Sequence, residues 1–264
     1  MPDLAAYLSF ATVLARRAGE VMRSSQLTLT VERKADHTPV TEVDRAINAL
    51  VIQEVRAAFS DHGILGEEES YQADAEWTWV CDPIDGTAAF IMHLPLSAFS
   101  LALTHNGEPV VAVIYNPWTD SLYTAVKGGG TWLNGIRLHV SERAAEHVRI
   151  VTRGINAFNG PFGSVQAKEL LQQKKWTLVH LSSIAYKGCL IAEGALDGTV
   201  YNHTGAHDIA ALYLLVTEAG GKVTDLAGKP QAYNRAINGA VITNGLIHNE
   251  LLAVAAELDM KVAG

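Results

Sequence analysis

The stretch Trp79-Val-Cys-Asp-Pro-Ile-Asp-Gly-Thr-Ala-Ala-Phe90 joins an apolar strand to an acidic turn. Trp77, Trp79 and Val80 are bulky, β-favouring residues that suit a buried pleated surface. The apolar run stops at Asp82, and Pro83 lacks a backbone donor, so strand pairing is expected to end there. Asp82 and Asp85 stand on either side of Pro83-Ile84, and Gly86-Thr87 opens a short helix. Carboxylates at a strand end suit a hard cation, and the N–H groups of a helix start suit phosphate oxygens. The chemistry expected of this pattern is metal-assisted hydrolysis of a phosphate ester.

The chain has 264 residues, enough for one large domain or two closely packed subdomains. With 48% hydrophobic and 18% charged residues it can bury a sizeable core, which sets it apart from disordered chains. The formal net charge of −8 argues against a duplex nucleic-acid partner, which would call for a basic face. A small anionic substrate stays compatible, because bound divalent cations invert the local field. Cys81 and Cys189 both lie in apolar runs and are expected as buried thiols. No basic segment precedes an apolar core at the N-terminus, and no run of about 18 apolar residues occurs. A cytoplasmic location without membrane contact is the expectation.

Asp3 is placed to cap a first helix whose apolar stripe is Leu4, Tyr7, Leu8, Ala11, Leu14, Ala15, Ala18 and Val21. Residues 27–32 alternate as a strand, and Lys34-Ala-Asp-His-Thr-Pro39 breaks into a polar loop. Thr41-Glu-Val-Asp44 resembles a capping box and starts a second helix to about Phe59. By itself Asp44 fits a helix dipole as well as a functional site. Gly66-Glu67-Glu68-Glu69 follows the apolar pair Ile64-Leu65. That repeats the design of Val80-Cys81-Asp82, so the acidic run reads either as a solvated loop or as half of a shared metal site. Residues 97–104, 109–115 and 121–126 form an antiparallel meander, with Asn106-Gly107 and Pro117–Asp120 as turns. Lys127-Gly-Gly-Gly130 lacks phosphate-loop spacing and is expected as a turn, with a further hairpin at Trp132-Leu133-Asn134-Gly135. Ser141–Glu146 marks a boundary between subdomains.

The second half alternates strands at 148–152, 177–181 and 196–201 with helices at 163–173, 183–193 and 208–219. Short strands at 223–224 and 240–243 and a helix over 247–259 close the chain, with no internal repeat. Asp208, in His207-Asp208-Ile-Ala-Ala-Leu212, is either an N-cap or a ligand.

Taken together, Asp44, Gly66-Glu67-Glu68, Asp82-Pro-Ile-Asp85-Gly86-Thr87 and Asp208-Ile-Ala-Ala make the chain resemble the inositol monophosphatase family over nearly its whole length. Gly194-Ala-Leu-Asp197 and Glu218-Ala-Gly-Gly221 match further landmarks of these magnesium-dependent, lithium-sensitive phosphatases. The resemblance implies an αβαβα sandwich of mixed α/β class. It implies a single phosphatase domain over 1–264, divided near 145 into helices with a large antiparallel sheet and a smaller mixed half. It implies a homodimer acting on a small phosphorylated substrate. Carried over, Glu67, Asp82, Asp85, Asp208 and the Ile84 carbonyl become ligands of two or three Mg2+ ions, with Glu68 and Lys34 supporting. Thr87, bonded to Asp44, would orient the attacking water together with Glu67, and Gly86 and Thr87 would hold phosphate oxygens. The mechanism so implied is direct in-line hydrolysis.

Departures fall on the substrate side. His207 stands where the family usually has Trp before the last metal-binding Asp. Tyr201 replaces the acidic residue that inositol-specific members carry seven positions before that Asp. Ser182, Ser183 and Ile184 occupy a substrate-contacting stretch that is more often Gly-Ser/Thr-Ala. The implied substrate is a small polyol or amino-alcohol phosphate, inositol 1-phosphate-like first. Segments 86–91 and 208–212 also resemble the histidinol-phosphatase branch, with His203 and His207 as candidate specificity contacts or as pocket-rim histidines. Sugar bisphosphates and 3′-phosphoadenosine phosphates rank lower for want of basic residues, and a non-catalytic member would be expected to have lost metal carboxylates.

Overall fold

A computed structural model of the chain describes residues 3–25, 30–33, 39–144, 148–153, 169, 173–181, 183–202 and 204–262. The expected helix at 163–173, the loop at 34–38 with Lys34, and the side chains of Ser182 and His203 lie essentially outside these residues.

Helix α1 (Leu4–Ser25) is capped by Asp3, whose side chain accepts from the Ala5 N–H at 3.0 Å. It buries Ala11, Leu14, Ala15, Ala18 and Met22, one face of a 3.6-residue period. Strands β1 (Val31–Arg33) and β2 (Pro39–Thr41) pair antiparallel and lead into α2 (Glu42–Ala58). Both helices cover one face of a seven-stranded sheet built from β3 (Gly63–Gly66), β4 (Trp77–Asp85), β5 (Ala98–His105), β6 (Glu108–Asn116), β7 (Ser121–Val126), β8 (Gly130–Leu133) and β9 (Ile136–Leu138). Neighbours follow chain order, so hairpins make most of the sheet. β3, however, pairs parallel to β4, so this sheet is mixed where a purely antiparallel one was expected. The hairpin at Asn134-Gly135 has both central residues at positive φ, 48° and 81°, the turn whose twist matches paired strands.

β4 does not end at Pro83 but runs on to Asp85, with a register shift between Asp82 and Asp85. A bulge lifts Pro83 out of the ladder, where its missing donor costs nothing. The Ile84 N–H turns back to the Asp82 carboxylate at 3.0 Å, and pairing resumes at Asp85 with Ala98. The short α3 (Thr87–Ile91) follows from Gly86 at φ 79°, a left-handed conformation that favours glycine.

The opposite face of this sheet packs on α4 (Ile184–Ala192) and α5 (Ala206–Glu218). These two helices cover in turn a five-stranded sheet in the order β11 (Thr177–Leu181), β10 (Arg149–Arg153), β12 (Gly198–Tyr201), β14 (Ala240–Thr243), β13 (Lys222–Thr224). Its β10 pairs are parallel and its β14 pairs antiparallel. Helix α6 (His248–Val262) closes the far side. The layers are therefore α, β, α, β, α. One apolar cluster joins Val80, Ala102 and Ile114 of the first sheet to Cys189, Leu212 and Ile242 beyond it. Both cysteines are buried free thiols.

Candidate active site

The first carboxylates come from the parallel pair. β3 and β4 run side by side with Gly66 opposite Cys81, so Glu67, just past the end of β3, lies beside Asp82 within β4. The Glu67 N–H donates to the Cys81 carbonyl at 3.1 Å, which fixes the acidic turn against β4. Asn48 fixes it from the other side, donating from Nδ2 to the Glu69 carbonyl at 3.0 Å. The Asn48 amide lies so close to Gly66 that any Cβ there would collide with it. Glu67 and Glu68 are half-buried, whereas Glu69 is exposed.

Asp44 lies one turn before Asn48 on α2 and is 1% exposed. Thr41 is the N-cap, and Asp44 accepts from its N–H at 2.8 Å and its hydroxyl at 2.6 Å. The other oxygen of Asp44 accepts from the Thr87 hydroxyl at 3.4 Å, while that hydroxyl lies 3.1 Å from the Ile84 carbonyl. Burial pushes the Asp44 carboxyl up to about 6; the Thr41 hydrogen bonds oppose this, and Glu67 and Glu68 add repulsion.

The second half supplies the rest. Asp208 is the third residue of α5, not its N-cap: Gly205 is the N-cap, and its N–H donates to Asp208 at 2.7 Å. Asp82, Asp85 and Asp208 each offer a carboxylate oxygen within 4.8 Å of the others. Asp82 is raised well above the usual carboxylate range by burial and then by Glu67, Asp85 and Asp208. Burial also raises Asp85 to about 6, opposed by hydrogen bonding from Ser183 and reinforced by Asp208. Carboxylates gathered out of water in this way repel one another, and an oxygen-only donor set of this kind fits a hard divalent cation.

Several residues expected at the substrate take other places. The Ser183 hydroxyl donates to Asp85, and the Ile184 N–H donates to the same carboxylate at 3.0 Å. Both therefore hold a carboxylate from behind. Ser183 also caps α4 by accepting from the Tyr186 N–H at 2.9 Å. Tyr201, expected at an alcohol, is 1% exposed, and its hydroxyl donates to the Ile184 carbonyl at 3.1 Å. It is a core residue behind the site because β12 points it inward. The His207 ring folds over Gly205, with Nε2 3.5 Å from the Asp208 carboxylate. A Cβ on Gly86 would press on the Leu96 carbonyl and Ser183 at 3.3 Å, so the turn before Thr87 is closely packed.

Asn48 and Lys187 are not among the residues expected from the motifs. Asn48 had a signal, since it follows Asp44 by four residues on one helix face. Lys187 had another: it is the one charged residue in the otherwise apolar run Ile184–Ala192.

Comparison with known proteins gives a consistent result. A sequence profile described as the inositol monophosphatase family matches residues 3–260. A fructose-1,6-bisphosphatase/inositol-1-monophosphatase of Thermotoga maritima is 32% identical over 260 residues, 97% of this chain and 98% of that protein. A histidinol-phosphatase of Mycobacterium tuberculosis is 33% identical over 257 residues, 93% of this chain and 96% of that one. Among solved structures, the Thermotoga maritima IMPase superposes with a TM-score of 0.88 at 31% identity, covering 97% of this chain and 99% of its own.

Proposed function

The chain belongs to the inositol monophosphatase family of metal-dependent phosphoric monoester hydrolases, and from that premise we propose that it is a magnesium-dependent phosphomonoesterase of small polyol or amino-alcohol phosphates. The observation that carries this reading is the convergence of Asp82, Asp85 and Asp208 within 4.8 Å, beside Glu67.

In this reading Glu67, Asp82, Asp85, Asp208 and the Ile84 carbonyl hold two or three magnesium ions, with Glu68 in support. Bound magnesium makes water more acidic and offsets the negative charge of the phosphate and of the leaving oxygen. Asp44 holds the Thr87 hydroxyl, and Thr87 together with Glu67 orients the attacking water. The Gly86 and Thr87 N–H groups hold phosphate oxygens, a role suited to groups preorganised where charge develops. Burial raises the Cys81 and Cys189 thiols, and the Ser183 proton is committed to Asp85. Water attacking directly, in line with the departing alcohol, is therefore the preferred route.

An inositol 1-phosphate-like substrate leads. Histidinol phosphate is the second reading, favoured by the 33% identical histidinol-phosphatase and by His207, which lies beside Asp208. We propose further that the enzyme is a cytoplasmic, lithium-sensitive homodimer, and that residues 1–264 act as a single domain with subdomains meeting near 145. Among the described residues no helix is long and apolar enough to cross a membrane.

The test is phosphate release with magnesium, with and without lithium, from inositol 1-phosphate, histidinol phosphate, fructose 1,6-bisphosphate and 3′-phosphoadenosine 5′-phosphate. Preference for either of the first two, suppressed by lithium, is expected. No release from any of the four would overturn the reading.

A further inference from the structure

Lys187 lies on α4 and is 0% exposed. Its ammonium sits 5.0 Å from the centre of the Tyr201 ring, whose hydroxyl donates to the Ile184 carbonyl. The Ile184 N–H in turn donates to Asp85. Lys187, Tyr201, Ile184 and Asp85 thus form a continuous block behind the acidic cluster. Burial raises the Asp85 carboxyl most, and the Lys187 charge is a weaker influence that lowers it. Burying an ammonium is expensive, and an aromatic face offsets only a small part of that cost. A nearby group of buried carboxylates can offset much more.

We propose that Lys187 is a positioning residue for the proposed metal site, an internal cation that steadies Asp85 from the protein side. The inference rests on the metal-site reading above. Before metal arrives, Lys187 supplies part of the positive charge that the cluster needs. Once metal is bound, two cations act on the same carboxylate, so Lys187 also keeps metal binding from becoming too tight. The block of Tyr201 and Ile184 gives this charge a fixed position, which a solvated lysine would not have.

The test compares thermal unfolding of the wild type, Lys187→Met, Asp85→Asn and the double variant, each in chelator; the wild type and Lys187→Met are also melted in saturating magnesium chloride. Methionine keeps the length of the stem and removes the charge. In chelator Lys187→Met is expected to melt about 10 °C lower than wild type, the usual effect of stranding one member of a buried pair in a chain of this size. In magnesium that loss should shrink, because the metal takes over the charge. In the Asp85→Asn background, adding Lys187→Met should cost little. If Lys187→Met yields no folded protein alone, the double variant is expected to fold. Equal losses with and without magnesium, or a double variant as destabilised as the two changes summed, would overturn the proposal. If magnesium does not stabilise the wild type, the metal-site reading itself fails, whatever the double variant does.

Discussion

The Ser183 hydroxyl donates to the Asp85 carboxylate, although the two residues are 98 positions apart. With the Ile184 N–H on the other oxygen, the first turn of α4 fixes both oxygens of a carboxylate that ends β4. The site therefore depends on the packing of α4 against the first sheet as much as on the acidic motif. Replacing Ser183 by Ala should remove a charge-assisted hydrogen bond worth about 2 kcal/mol and, with it, part of the alignment of Asp85. The expected result is a kcat about 30-fold lower, with KM changed less. Steady-state kinetics at saturating magnesium checks this.

Thr87 shares its hydroxyl between Asp44 and the Ile84 carbonyl. If it orients the attacking water, Thr87→Ala should lower kcat by about 100-fold, in the usual range for one proton-handling or water-positioning group. Thr87→Ser keeps the hydroxyl and should stay within a few-fold of wild type. Magnesium should raise the melting temperature of both variants as it does that of the parent. Loss of that response in Thr87→Ala would assign the residue to metal binding instead.

Burial pushes the Asp44 and Asp85 carboxyls up to about 6 in the folded, metal-free protein, from an ordinary value of 3.8. The folded state therefore binds more protons than the unfolded state between those values, and stability must fall as pH rises through that window. Each group costs on the order of 3 kcal/mol once fully ionised. In chelator the protein should melt lower at pH 7 than at pH 5. Bound cations remove that cost, so the stabilisation by magnesium should be larger at pH 7 than at pH 5. Melting curves across this range with and without magnesium provide the check.

Asp197 is fully buried and accepts from the Ser141 hydroxyl, both ways from the Arg143 Nε at 2.9 and 3.0 Å, and from the Arg149 N–H at 2.6 Å. It ties the segment after β9 to the second sheet. Asp197→Ala leaves Arg143 with only the Gly194 and Ala195 carbonyls and strips the Arg149 N–H of its acceptor, which should cost about 3 kcal/mol. A marked fall in melting temperature is expected, with activity at low temperature retained per folded molecule. Loss of activity without loss of stability would place Asp197 in the chemistry instead.

Asp82-Pro-Ile-Asp85-Gly86-Thr87 announced both the acidic cluster and the turn into α3, because strand ends, proline and glycine act through local backbone chemistry. The paired meander and the helix at Asp208 were legible for the same reason, from alternation and turn residues. The bulge at Pro83 was not, since whether a missing donor ends a strand depends on the partner strand. The placement of Ser183, Tyr201 and Lys187 was hidden too. Each is decided by how α4 docks between the sheets, and no local pattern in residues 182–201 encodes which way those side chains face.

The most direct test of the carboxylate site is phosphate release from inositol 1-phosphate and histidinol phosphate by wild type and Asp208→Asn, in magnesium and in chelator. Asp208→Asn removes one of the three converging carboxylates and leaves the helix in place. The prediction is turnover by the wild type in magnesium alone, and activity at least about 100-fold lower in the variant, a loss of roughly 3 kcal/mol of transition-state stabilisation. Wild-type turnover undiminished by chelator, or an Asp208→Asn enzyme as active as its parent, would contradict the assignment of the site.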